Sequence, residues 1–203
     1  MVAVRAQRRH LSSMFIQTEP TPNPNVLKFL PGRDVLGEGT RELREADKAA
    51  SPLAEAIFAV EGVERVFLGP DFLTVTRDEE ADLDWRQLKA PILAAIMEHF
   101  TSGAAVLAEG GEATSHDADV YEGDTAQVVA EIKDLLDTRI RPAVARDGGD
   151  ILFNRFDAAT GVVFLHMRGA CSGCPSSSAT LRSGVENMLK HYVPEVTRVE
   201  AAL

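Results

Sequence analysis

The chain has 203 residues and a formal charge of −10 at pH 7, with 45% hydrophobic and 26% charged residues. This is the composition of globular proteins, with enough chain for one large or two modest cores. The acidic balance argues against nucleic acid as a partner, and no apolar run approaches the roughly 18 residues of a membrane-spanning helix.

Residues 1–13 carry Arg5, Arg8 and Arg9 and no acid, a net +3 that leaves −13 on the rest of the chain. This leader has the composition of the end of a mitochondrial presequence, yet it is short for one and has no amphipathic face. The other reading is an over-called start, with Met14 as the true one.

Residues 14–19 and 26–30 read as strands, joined by the stiff, unpaired turn Pro20-Thr21-Pro22-Asn23-Pro24. Ser51 is a good N-cap, with Pro52 at the first helical position and Glu55 in the first turn, so a helix runs to about Val60. Residues 63–68 and 72–76 are strands around the turn Gly69-Pro70-Asp71. A last helix covers 91–100, with Ile92, Ala95, Ile96 and Phe100 on one face. These elements make an α+β domain with no visible chemistry. Met14 and Met97 are expected in its core, Trp85 as a packing anchor, and His99 as a side chain at a helix C-terminus.

Residues 101–124 lack periodicity and contain Gly103, Gly110, Gly111 and Gly123, so they read as a linker. The acids Asp117, Asp119, Glu122 and Asp124 lack the spacing of a calcium loop and are expected to be solvated.

An amphipathic helix over 125–140 opens the second domain, with Val128, Ile132, Leu135 and Leu136 on one face and Pro142 ending it. The turn Asp147-Gly148-Gly149 needs positive φ. A hairpin of 151–156 and 162–168 follows, then the cysteine loop. Next comes a helix over 175–192 with Leu181, Val185, Met188, Leu189 and Tyr192 on its core face, and then a strand over 196–200. The fold class read from this order is α+β: two small α+β domains joined by a flexible linker.

Cys171 and Cys174 are the only cysteines, within Gly169-Ala170-Cys171-Ser172-Gly173-Cys174-Pro175. Ser172 and Gly173 let the loop turn tightly so that both sulfurs face one way. Pro175 fits the start of a helix, whose positive end favours thiolate. The loop is expected to be exposed. Three readings stay open at this point: metal or cluster ligands, a redox dithiol, and thiols without function. A redox dithiol of the thioredoxin kind lies early, after the first strand of a βαβ unit, whereas this pair lies late. Two thiolates are half of the usual four ligands. None of His10, His99, His116, His166 and His191 has ligand spacing to them. A second copy of the chain, meeting at a two-fold axis, is the simplest source of the rest.

The run Arg141-Pro142-Ala143-Val144-Ala145-Arg146-Asp147-Gly148-Gly149-Asp150-Ile151, then Gly161-Val162-Val163 and the cysteine loop through Leu181, closely resembles the C-terminal domain of NifU-like (Nfu) iron–sulfur proteins. The resemblance spans about residues 125–200. It is specific, because both runs occur together at the family spacing. Phe15-Ile16-Gln17-Thr18-Glu19-Pro20-Thr21-Pro22-Asn23-Pro24-Asn25 and Leu27-Lys28-Phe29 look like the N-terminal domain that accompanies it in bacterial and mitochondrial Nfu proteins. The resemblance implies a first domain over 14–101, a linker over 102–124 and an iron–sulfur domain over 125–203. It begins at Met14, which favours Met14 as the start. It implies a carrier or scaffold rather than an enzyme. A 4Fe–4S cluster, or alternatively 2Fe–2S, would be bridged between two protomers by Cys171 and Cys174. Gly169 and Gly173 would shape the loop, and Ser176 to Ser178 would offer donors to cluster sulfides. Expected partners are a second copy on cluster binding, apo iron–sulfur clients and an upstream assembly scaffold, with no nucleic acid and no membrane. The location expected is a bacterial cytoplasm, or alternatively the mitochondrial matrix. The rival function is a dithiol–disulfide oxidoreductase using the same pair.

Overall fold

The computed structural model describes residues 15–108, 121–172 and 175–202, the side chains of 175–178 excepted. The leader 1–13, Met14, His10, His116, Gly110, Gly111, Asp117, Asp119, Gly173 and Cys174 lie outside the described residues.

The first domain is a five-stranded antiparallel sheet with two helices on one face. Its strands are β1 (Gln17–Pro20), β2 (Val26–Leu30), β3 (Arg41–Arg44), β4 (Val63–Leu68) and β5 (Leu73–Arg77), in the order β1-β2-β5-β4-β3. Side chains alternate across a strand. One face therefore gathers Phe29, Leu43, Val66, Leu68, Leu73 and Val75 into a core with α1 (Pro52–Phe58) and α2 (Trp85–Ser102). Burying a side chain such as Phe29 or Ile57 completely contributes about 2–3 kcal/mol each.

Ser51 caps α1 as expected, its side chain accepting from the Ala54 N–H. The second helix begins earlier than Pro91, because Asp84 and Gln87 form a reciprocal capping box ahead of it. Pro91 is thus interior. Its local penalty of about 3 kcal/mol is offset by the cap and by burial of Leu88, Ile92 and Ile96 on either side. Met97, one position past Ile96 and so about 100° round the helix from it, is exposed rather than in the core. His99 lies in the last turn but faces inward and is buried. Trp85 anchors the proline-rich turn by donating its indole N–H to the Pro24 carbonyl at 3.0 Å. Beyond α2 the chain stays fastened to this domain. Ser51 Oγ donates to the Val106 carbonyl at 2.5 Å, and Ala108 N–H donates to the Ala50 carbonyl at 2.9 Å.

In the second domain α3 (Gly123–Leu135) passes through a π-helical turn, Leu136–Ile140, into α4 (Arg141–Arg146). Pro142 does not end the helix as expected. It falls at the start of α4, where the wide turn before it already leaves the proline's missing N–H without a place in the α ladder. A three-stranded sheet follows: β6 (Gly149–Asp157), β7 (Val162–Gly169) and β8 (Arg198–Ala201). β6 and β7 are antiparallel, and β8 lies parallel to β7 after a crossover through α5 (Pro175–Tyr192). Ile132, Leu136, Ile151, Leu165, Val185 and Leu189 are part of the core, with Leu181 and Met188 against it. Tyr192 was expected on that face, yet it is exposed. Its hydroxyl accepts from Arg139 Nη1 at 2.8 Å. Among the described residues no helix is long and apolar enough to cross a membrane.

Candidate functional site

The cysteine loop begins where β7 ends. Gly169 turns the chain with φ +62, a left-handed value that glycine adopts freely. The turn is closed by Cys171 N–H to the Arg168 carbonyl at 3.3 Å and Ser172 N–H to the Gly169 carbonyl at 3.1 Å. The strand therefore delivers Cys171 at a fixed position.

That position is not the exposed one expected. Cys171 is 6% exposed and forms part of the second domain's core. Its sulfur rests on Gly149, where an added Cβ would stand 2.5 Å from Sγ and 2.7 Å from the Arg168 carbonyl. The seat exists because residue 149 has no side chain. The thiolate expected from the helix terminus is not favoured either. Burial pushes the Cys171 thiol up to about 12, and the negative charges of Asp147, Asp150 and Glu42 add to the effect.

This fixes a pH dependence. Cys171 keeps its proton in the folded chain well above the value of 9.0 from which it is raised. The unfolded chain binds fewer protons in that interval, so stability falls as pH rises through it. The urea midpoint of the wild type should drop between pH 8 and pH 10.5 relative to that of Cys171→Ser. A constant difference between the two would show that this thiol does not set the dependence.

Beside the loop lies Asp150, 3% exposed on β6. Arg141 grips its carboxylate with Nε at 2.8 Å and Nη2 at 3.0 Å, and the Ile151 N–H donates to Oδ1 at 2.9 Å. This pairing raises the Arg141 guanidinium further above its ordinary range. Thr40, from the first domain, donates to Oδ2 at 2.6 Å.

Four more first-domain side chains reach this region. Asn23 Nδ2 donates to the Ser172 carbonyl at 3.2 Å, and Arg65 Nη1 donates to Ser172 Oγ at 2.7 Å. Glu42 accepts from the Gly169 N–H at 2.9 Å. Lys28 Nζ donates to the Ala145 and Arg146 carbonyls at the end of α4, each at 3.0 Å. Sequence reasoning missed all five of these residues, Thr40 included. A lysine, threonine or arginine at alternate strand positions has the pattern of an ordinary solvent face.

Of the two expected ligands the structure places Cys171; Cys174 and Gly173 lie outside the described residues. His166 sits on β7 against Asn154, with Nδ2 and Nε2 2.9 Å apart, and His99 belongs to the first domain's core. Among the described residues no group of three or more His, Cys, Asp or Glu side chains is placed to hold a metal ion.

Two family models match the chain. One, described as the scaffold protein Nfu/NifU N terminal, covers residues 16–103; the other, described as the NifU-like domain, covers 132–200. "NifU-like protein 5, mitochondrial" of Arabidopsis thaliana is 51% identical over 195 residues, which is 96% of this chain and 69% of that protein. "NFU1 iron-sulfur cluster scaffold homolog, mitochondrial" of Homo sapiens is 50% identical over 191 residues, 94% of this chain and 72% of that protein. A solution NMR structure of a NifU-like protein from Saccharomyces cerevisiae matches 54% of this chain and 99% of its own, at 28% identity and a TM-score of 0.43.

Proposed function

This chain belongs to the Nfu/NifU scaffold family, and we propose from that premise that it is an iron–sulfur cluster scaffold and carrier with no turnover chemistry of its own. The cluster is its cargo. Cys171 and Cys174 of one protomer supply two thiolates, and the same pair of a second protomer supplies the other two, for a 4Fe–4S cluster. The cluster then passes to apo-proteins, after loading from an upstream scaffold. Residues 125–203 form the carrier domain, 14–101 form the part that meets clients, and the linker 102–124 joins the two.

The observation that carries this reading is the ligand set. The chain has two cysteines, and no cluster of other ligating side chains stands among the described residues. A site held between two protomers can be released when they part, which suits delivery. The dithiol–disulfide alternative would use the same pair, but a thioredoxin-like pair lies early, after the first strand of a βαβ unit, whereas this loop follows β7 late in the chain. The two relatives named above carry mitochondrial names, which supports the mitochondrial matrix over a bacterial cytoplasm.

Light scattering with iron and sulfide analysis tests the shared site. The apo chain should run as a monomer and the anaerobically reconstituted chain as a dimer with four irons. A monomer carrying four irons would sink the reading.

A further inference from the structure

The sheet of the first domain has a second face, and that face is buried without being apolar. Register places Glu19, Lys28, Thr74, Phe67 and Glu42 in one row across five strands. Lys28, Thr74 and Phe67 are nearly inaccessible, yet none of them belongs to the core under the helices. The second domain covers them. Lys28 meets the end of α4, Glu42 meets the Gly169 N–H, and Arg65 with Asn23 holds the side chain and carbonyl of Ser172. Two second-domain glycines complete the fit. A Cβ on Gly169 would lie 3.0 Å from the Phe67 ring, and one on Gly148 would lie 2.8 Å from the Thr74 methyl. With no side chain at either glycine, the backbone of the second domain lies directly on the sheet.

We infer that this polar sheet face is a docking surface for the chain's own cysteine loop, and that it caps the loop until a second copy or a client takes its place. Ser172 lies between the two cysteines in sequence, so the first-domain side chains that hold Ser172 occupy space beside the loop that a second loop would need. The bonds to the loop itself are to backbone groups and the Ser172 hydroxyl, with Thr40 on the Asp150 carboxylate beside them, all polar groups that water can take over on release. Such a contact holds the loop and lets it go. The capping role rests on the shared-cluster reading; the docking itself does not.

The test uses the full-length apo chain and the double variant Lys28→Ala/Arg65→Ala, both changed in the first domain only. Hydrogen exchange of the Gly169 amide is followed by NMR, with circular dichroism to establish folding. Exchange should speed up at least tenfold in the variant. If the double variant does not fold, Arg65→Ala alone replaces it. Unchanged Gly169 exchange in a folded variant overturns the docking. Failure of wild-type chains to take up iron would instead overturn the cluster reading, leaving the exchange result intact.

Discussion

Cys171→Ser and Cys174→Ser should each reduce the iron and sulfide content of reconstituted protein to background. A hydroxyl is a poor substitute for a soft thiolate, and in a two-fold site one substitution removes two of four ligands at once. Cys171→Ser carries a second effect. Its hydroxyl would occupy a buried seat against Gly149, where Sγ now packs in the core. A buried hydroxyl without a partner costs about 1–3 kcal/mol. The variant should therefore melt several degrees lower while keeping its fold. Iron, sulfide and a thermal melt on each variant separate the two effects. Normal iron and sulfide in either variant would remove that cysteine from the ligand set.

The elements of the fold were legible wherever one face is apolar and the ends are marked. β2 and β4 fall where alternation placed them, and α1 starts at its serine cap. What escaped was short or polar. β3 has only Leu43 as an apolar residue, and it lies at the edge of the sheet where one neighbour suffices. The first turns of α2, with Arg86, Gln87 and Lys89, hid behind Pro91. The cysteine motif was legible from spacing alone. Its burial was not, because that depends on Gly149 from β6 and on the second-domain core around the sulfur. Lys28 and Arg65 have meaning only once the carbonyls of α4 and the Ser172 hydroxyl are set beside them.

Asp150→Ala should be the most damaging change outside the core. The carboxylate is buried and accepts from Arg141 twice, from Thr40 and from its neighbour's N–H. Its removal leaves the Arg141 guanidinium with Asp137, at 2.7 Å on an exposed side chain, as its remaining ion-pair partner. Breaking a buried pair from one side costs about 3 kcal/mol or more, which should show as a large fall in the urea midpoint of the second domain. The same carboxylate also ties the two domains together through Thr40. A double-mutant cycle with Thr40→Val isolates that bond from the Arg141 pair. In the docked chain the cycle should give a coupling of about 1.5–3 kcal/mol, the usual worth of one hydrogen bond to a charged acceptor. A coupling near zero with Asp150→Ala still strongly destabilised would mean that Asp150 holds the second domain together but spends its time in solution away from Thr40. The cysteine loop would then be reachable from the first domain's side without any prior release.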